Sequence, residues 1–326
     1  SCWTNWSDGI NSSAWSPCVL PGVWRPRSSS SVSETAGGCG RLASRVKSKR
    51  FEFAGEDGIN LAAEAWGDPK DPPVILSHGG GQTRHSWGGT AQALAERGWY
   101  AVAYDHRGHG ESEWAEGGLY DLVHFSLDMA CLARSFDRPP AVVGASLGGL
   151  AAMLGAGELE TGMFTAIVLV DVTPRLNRDG VQRIFDFMHA HMETGFASLE
   201  EAAEAVARYT GRPRRNEHGG LRKNLRERDG RFYWHWDPEF FAPRQDGPQN
   251  PDRVIDAAAR LAVPVLLVRG RASDVVTEQE VAEFLQLIPH ASYVDVDKAR
   301  HMVAGDRNDI FTAAVIDFLT QLKEKR

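Results

Sequence analysis

The segment Gly144-Ala145-Ser146-Leu147-Gly148 places a serine between glycines, after the apolar run at 141–143 and before the small residues at 147–155. A serine on such a strand-to-helix turn projects its hydroxyl from the carboxyl end of the strand, and larger neighbours would clash with the tight turn. The N-terminus of the following helix favours nearby negative charge. The pattern therefore predicts Ser146 as a nucleophile, although a plain turn can share it.

A serine hydroxyl is a poor nucleophile at neutral pH, so it needs an imidazole to take its proton and a carboxylate to orient that imidazole. His301 follows the last predicted strand, and Asp274 follows the strand at 263–268. The order Ser146, Asp274, His301 is typical of one group of serine enzymes. Asp171 is an alternative acid because it also ends a strand, at 166–170. We favour Asp274 and interpret Asp171 as part of an exit turn.

Backbone N–H groups that bind a developing oxyanion are predicted at two places. The run His78-Gly79-Gly80-Gly81 directly follows a buried strand, and its bare glycines leave their amides accessible. We expect Gly80 to supply one donor and the amide of Leu147 the other. His78 is interpreted as a brace for the loop, and a purely structural turn is the alternative.

Other residues that could bind metal or react are assigned no such role. His106 and His109 lie close together, as do His189 and His191, but neither pair has a third ligand at zinc spacing. Cys131 lies in a helical pattern and is expected to be a small buried residue. The sequence predicts no metal and no organic cofactor.

The elements that position these residues alternate between β-type and helical patterns from Arg50 onward, which predicts a mostly parallel sheet covered by helices on both faces. A hairpin is expected around Glu56-Asp57-Gly58. The other predicted strands are 74–77, 100–104, 141–143, 166–170, 263–268 and 292–296. The predicted helices outside the insertion are 87–97, 119–134, 147–155 and 309–323.

The strand rhythm stops at about residues 174–260, where helical patterns at 181–191 and 199–209 alternate with polar segments. We expect a helical lid inserted in a domain spanning 47–326. An aromatic cluster near its end should form core or line an apolar pocket; it comprises Phe232, Tyr233, Trp234, Trp236, Phe240 and Phe241. Residues 1–46 are rich in Ser, Gly, Trp and Pro and are expected to be a disordered extension.

Composition restricts the classes of partner. The chain has 326 residues, 42% of them hydrophobic, 24% charged, and a net charge of -7, which is typical of an ordinary globular protein and argues against a nucleic-acid partner. The apolar runs are strand-sized, so no membrane span is expected. No secretory signal pattern is evident, and a cytoplasmic location is expected. The oligomeric state is open.

These segments together resemble the α/β-hydrolase superfamily over residues 50–325. The resemblance rests on residues 78–81, 105–112, 144–148, 270–274 and His301. The chain is similar to small bacterial esterases, to cofactor-free haloperoxidases or perhydrolases, and to carbon-carbon bond hydrolases. Epoxide hydrolases and haloalkane dehalogenases are also similar but have aspartate where this chain has Ser146.

The resemblance and the residues imply a serine esterase acting on small-molecule esters through an acyl-enzyme, with Ser146, His301 and Asp274 as the reacting residues. Carbon-carbon bond hydrolysis or perhydrolysis by the same residues is an alternative. A non-catalytic small-molecule receptor on the same fold is another. The acyl and alcohol specificity, and whether polymeric esters are substrates, cannot be predicted from the sequence.

Overall fold

The structure is a computed structural model that describes residues 46–211, 219–241, 251–297, 299–301 and 308–324. Eight strands form the central sheet in the order β1-β2-β4-β3-β5-β6-β9-β10. They are β1 Lys49–Ala54, β2 Asn60–Trp66, β3 Pro73–Ser77, β4 Tyr100–Tyr104, β5 Ala141–Ala145, β6 Ala166–Val170, β9 Val265–Gly270 and β10 Ser292–Val296. The predicted disordered extension lies almost entirely outside the described residues.

The sheet is antiparallel at one edge and parallel elsewhere. β2 pairs antiparallel with β1 and β4, whereas every pair from β4 to β10 is parallel. The inner strands β3, β5, β6 and β9 are buried along their whole length, which explains their continuous apolar sequences. Strand order reverses between β3 and β5, and such a reversal creates a crevice at the carboxyl ends of the strands.

Helices cover both faces of the sheet. They are α1 Gly88–Ala95, α2 Leu122–Arg134, α3 Leu147–Leu154, α7 Asp252–Ala258, α8 Glu278–Leu287 and α9 Thr312–Glu324. Residues of α2, α3, α7 and α8 join the core on one face, and those of α1 and α9 join the core on the other. The predicted α/β fold with its mostly parallel sheet is thereby confirmed.

Between β6 and β9 the chain leaves the sheet, as the loss of strand rhythm indicates. The segment contains α4 Arg178–His189, α5 Leu199–Thr210, α6 Gly219–Arg222, and a hairpin of β7 Leu225–Arg228 and β8 Arg231–Trp234, before α7. It has its own apolar core, which includes Phe187, Phe196 and Trp234. We call residues 174–260 the insertion. The hairpin, α6 and α7 are additions to the two helices that the sequence predicts there.

No helix within the described ranges is both long and apolar enough for a membrane span.

Candidate active site

Ser146 occupies the sharp turn between β5 and α3. Its backbone has φ 46° and ψ -114°, a strained conformation for a residue with a side chain. The turn is held by hydrogen bonds from the amides of Gly149 and Leu150 to the Ser146 carbonyl, each 3.0 Å. Ser146 is half-buried, so its side chain is accessible at the carboxyl edge of the sheet.

The glycines of this turn are required by close packing. A Cβ atom on Gly144 would lie 2.6 Å from the backbone of Gly148, and one on Gly148 would lie 2.4 Å from Ser77 Oγ. These separations are too short for any side chain, so α3 can begin this close to β5 only with glycine at 144, and this close to β3 only with glycine at 148.

His301 lies at the same edge of the sheet, and its imidazole is bonded to Asp171. The distance from His301 Nδ1 to Asp171 Oδ2 is 2.8 Å. A carboxylate only accepts hydrogen bonds, so Nδ1 carries a proton, and in the neutral form of the ring Nε2 has a free lone pair. This is the tautomer that a general base needs.

The preference for Asp274 as the partner of His301 is wrong in this geometry, and the alternative Asp171 takes that place. Asp274 is half exposed and forms an ion pair with Arg183 of α4 at 2.9 Å. Asp274 is exposed because of the turn after β9, in which the Ser273 amide donates to the Gly270 carbonyl at 2.8 Å. Ser273 is buried in this turn, and the next residue, Asp274, is exposed.

Asp171 is the most constrained carboxylate of the site. It is fully buried and has φ 51°, a backbone conformation that aspartate tolerates better than most residues. Its Oδ1 accepts from the Gly270 amide at 3.1 Å, and its Oδ2 accepts from Ser273 Oγ at 2.7 Å as well as from His301.

Ser273 is a site residue that the sequence analysis missed. Its hydroxyl donates to Asp171 and accepts from the amides of Val275 and Val276, both at 3.2 Å. The signal that could have found it is the run Gly270-Arg271-Ala272-Ser273 after a buried strand, because a small polar residue there can reach the end of β6.

Ser146 and His301 are not joined by a hydrogen bond within the described part of the chain. The expected proton-transfer contact is therefore not formed in this structure. Catalytic hydrogen bonds in a free enzyme are often long and tighten when substrate binds. Residues 302–307, which follow the imidazole, lie outside the described residues.

The glycine loop after β3 approaches the serine. A Cβ on Gly79 would lie 3.2 Å from Ser146 Cβ, so the two backbones are adjacent. The Gly79 amide donates to Gln82 Oε1 at 3.1 Å, and the Gly81 amide donates to His109 Nε2 at 3.1 Å. Of the three glycine amides in this run, that of Gly80 has no acceptor among the described residues.

Leu147 is the first residue of α3, so its amide has no acceptor within the helix. The amides of Gly80 and Leu147 thus belong to the two segments that meet at Ser146. The geometry is compatible with both as oxyanion donors, and that role is a proposal.

Four buried histidines surround the glycine loop. His78 Nδ1 donates to the Gly79 carbonyl at 2.8 Å, and His78 Nε2 accepts from the His106 amide at 3.0 Å. His78 therefore braces the loop. His235 reaches it from the insertion, since its Nδ1 accepts from the Gly110 amide at 2.7 Å and its Nε2 lies 3.4 Å from the Gly81 carbonyl.

Burial keeps these imidazoles neutral. Desolvation lowers the pKa of His78 to about 4 and the pKa of His109 to about 3. The pKa values of His106 and His235 also lie well below the ordinary value, chiefly because of burial and then because of neighbouring histidines. No group of three or more potential metal ligands is arranged for a metal ion in the described ranges.

Residues 74–314 match the model of the alpha/beta hydrolase family. The chain belongs to this family. This α/β hydrolase is 33% identical over 258 residues to the esterase Rv0045c of Mycobacterium tuberculosis, covering 76% of this chain and 82% of the relative. It is 30% identical over 258 residues to a 3-hydroxybutyrate-oligomer hydrolase of Cupriavidus necator, covering 74% of this chain and 86% of that protein.

The crystal structure of the same mycobacterial esterase is also similar to this α/β hydrolase. Its TM-score is 0.63 at 29% identity, with 88% of this chain and 92% of that chain covered. The likeness therefore extends through almost the whole length of that chain.

Side chains of the insertion lie against the glycine loop of the hydrolase. A Cβ on Gly80 would lie 3.5 Å from Phe240, and one on Gly81 would lie 2.6 Å from Met188 and 3.1 Å from Trp236. The predicted aromatic cluster therefore serves both as the insertion's core and as an apolar wall beside the glycine loop.

Proposed function

We propose that this α/β hydrolase cleaves carboxylic esters through Ser146, His301 and Asp171. The observation that carries the proposal is the 2.8 Å bond from His301 to buried Asp171, at the sheet edge where Ser146 occupies its strained turn. The two relatives named above, an esterase and a hydrolase of hydroxybutyrate oligomers, support ester chemistry.

In the proposed first step, His301 Nε2 takes the proton from Ser146 Oγ as this oxygen bonds to the ester carbonyl carbon. The carbonyl oxygen becomes an oxyanion, which the amides of Gly80 and Leu147 stabilise. Collapse of this intermediate breaks the bond to the alkoxy oxygen. The imidazolium gives its proton to that oxygen, and the alcohol leaves an acyl-enzyme behind.

In the second step, His301 takes a proton from water, and the resulting nucleophile attacks the acyl carbon. Collapse returns the proton to Ser146 Oγ and releases the carboxylic acid. Asp171 stays ionised throughout and stabilises the imidazolium. In this proposal, substrate binding brings Ser146 Oγ within hydrogen-bond reach of His301 Nε2, as catalytic hydrogen bonds that are long in a free enzyme tighten in its complex.

Replacing the nucleophile tests this function. Ser146→Ala should reduce turnover of p-nitrophenyl butyrate by a factor of at least about 10⁴ while circular dichroism shows an unchanged fold. Ser135→Ala is a matched control, because Ser135 caps the far end of α2 with a bond to the Leu132 carbonyl. Equal activity of the two variants would refute the assignment.

A fluorophosphonate probe separates an enzyme from an inert receptor. The proposal expects covalent labelling of Ser146 in the wild type and none in Ser146→Ala. A diketone panel assayed in parallel tests carbon-carbon bond hydrolysis, and faster turnover of diketones than of esters would reassign the reaction.

A further inference from the structure

A cavity of about 650 Å³ lies between the insertion and the sheet edge, and His301 forms part of its wall. Helices α4 and α5 supply one side, and the turns at 272–274 and 300–301 supply the other. A molecule in this cavity therefore lies against the imidazole.

The cavity combines an apolar wall with cationic groups. Phe187 and Tyr209 stack with their ring centroids 4.2 Å apart, and Trp234 packs beside Phe187. Arg208 and Arg300 also line the cavity, and both are exposed. The chain as a whole has a net charge of -7, so two arginines without an ion-pair partner among the described residues of one cavity are a local departure from the overall charge.

Neither arginine has an ion-pair partner among the described residues, although the carboxylate of Asp186 also lines the cavity. Within the described ranges, no ion pair joins Arg208 or Arg300 to a carboxylate, and the one bond of Arg300 is from Nη1 to the Thr210 carbonyl at 3.2 Å. The third arginine of the cavity, Arg183, is paired with Asp274. The cavity thus retains two guanidinium groups that can bind an anion.

The position of His301 determines which part of an ester faces these arginines. In the proposed reaction the imidazole gives its proton to the leaving alkoxy oxygen, so the alcohol portion lies on the His301 side of the bond that breaks. A cavity that touches His301 therefore receives the alcohol portion.

We infer that the alcohol portion of the substrate carries a carboxylate that pairs with Arg208 and Arg300, so that the substrate is an ester of a hydroxy acid. This inference rests on the proposed ester hydrolysis. Guanidinium groups bind carboxylates in planar, paired hydrogen bonds, and the stacked aromatic wall receives the carbon chain of the hydroxy acid.

Two esters of equal size test the inference, namely 3-butyryloxybutanoate and its neutral amide, 3-butyryloxybutanamide. Release of butyrate is measured by chromatography, and the ratio of kcat/KM for acid over amide is compared between proteins. We expect a ratio of about ten in the wild type and about one in the double variant Arg208→Gln/Arg300→Gln, because two partly exposed charge pairs are lost. Circular dichroism verifies the fold.

Arg138→Gln is the matched control, because Arg138 lies near β3 and bonds to the Lys70 carbonyl, away from the cavity. It should keep the wild-type ratio. Raising NaCl from about 0.05 to about 0.5 M should lower the ratio in the wild type through screening, and leave the double variant unchanged.

A wild-type ratio of one or less, or a ratio that the double variant keeps, overturns the inference. Failure of the proposed function looks different. If Ser146 is not the nucleophile, Ser146→Ala still cleaves the amide ester. If neither ester is cleaved while p-nitrophenyl butyrate is, the hydroxy-acid assignment alone is wrong.

Discussion

At the scale of single residues, Asp171 is where the site is built most tightly. One oxygen of its carboxylate accepts both the His301 imidazole and the Ser273 hydroxyl, and the other accepts the Gly270 amide. Three donors from two different segments therefore fix the orientation of one side chain. An imidazole held by such a carboxylate keeps both its tautomer and its direction.

A pair of variants tests this assignment. Asp171→Asn should lower kcat on p-nitrophenyl butyrate by about 10³- to 10⁴-fold, because an amide cannot stabilise the imidazolium or enforce the tautomer. Asp274→Asn should keep kcat within about threefold, because its exposed pair with Arg183 contributes little. The opposite result would restore Asp274 as the acid of the triad.

The sequence predicted Ser146 and His301 because strand-to-helix and strand-end contexts are visible in the apolar pattern. It favoured Asp274 over Asp171, whereas His301 bonds to Asp171 in the structure, and the two are easily confused because both follow buried strands that are adjacent in the sheet. Which carboxylate bonds to His301 depends on which side chain is buried in the turn after β9. Ser273 is buried there and donates to Asp171, whereas Asp274 is exposed, and a single sequence does not express this packing.

At the scale of elements, the end of β8 is fastened to the loop after β4. The His235 imidazole accepts from the Gly110 amide, and the Asp237 amide donates to the Gly108 carbonyl at 2.9 Å. Tyr120 Oη donates to Asp237 Oδ2 at 2.6 Å. The insertion and the loop that supports the glycine run are therefore one connected unit at this point.

Replacing His235 should change kcat more than KM. His235→Phe deprives the Gly110 amide and the Gly81 carbonyl of a partner, so the glycine loop loses its alignment. We therefore expect kcat to fall about tenfold and KM to stay within about twofold of the wild-type value. His235→Asn should recover part of kcat because its side chain can still accept a hydrogen bond.

Tyr233→Phe is the control, since Tyr233 lies in β8 two residues before His235 and stacks against Arg228 on the surface. A rise in KM alone for His235→Phe, or an equal loss in the control, would count against a positioning role.

Most sheet strands, and the helices α1, α2, α3 and α9, agree with the sequence prediction to within a few residues. The strands could be found because buried parallel strands have continuous apolar runs. Helices α7 and α8 were not predicted. The β7–β8 hairpin was not predicted. Its strands have only four residues each, and the sequence LRER of β7 is almost entirely polar. Pairing with β8 and cover from α5 and α6 stabilise it, and these are tertiary contacts.

At the scale of the whole molecule, the four neutral histidines link stability to pH. Each has a folded-state pKa below the ordinary 6.5, so between pH 6.5 and the folded pKa the unfolded chain binds more protons than the folded one. For His78, the contribution of the neutral imidazole to the free energy of unfolding is fully present above about pH 6.5. It is lost as the pH falls toward about 4.

The free energy of unfolding should therefore decrease between pH 6.5 and 5, by up to about 1.4 kcal/mol per pH unit for each buried histidine. Urea titrations at pH 7.5, 6.0 and 5.0 measure this slope. His109→Gln should reduce the slope, whereas His290→Gln should leave it unchanged because His290 is exposed. Equal slopes in all three proteins would contradict the account.

The fastening at His235 and Asp237 holds one side of the insertion to the rest of the domain. The opposite side, where α4 and α5 face the imidazole, is held by the ion pair between Arg183 and Asp274 and by the bond from Arg300 to the Thr210 carbonyl. An insertion tied down on both sides is a fixed wall, so we expect Phe240 and Met188 to stay over the glycine loop while a ligand binds.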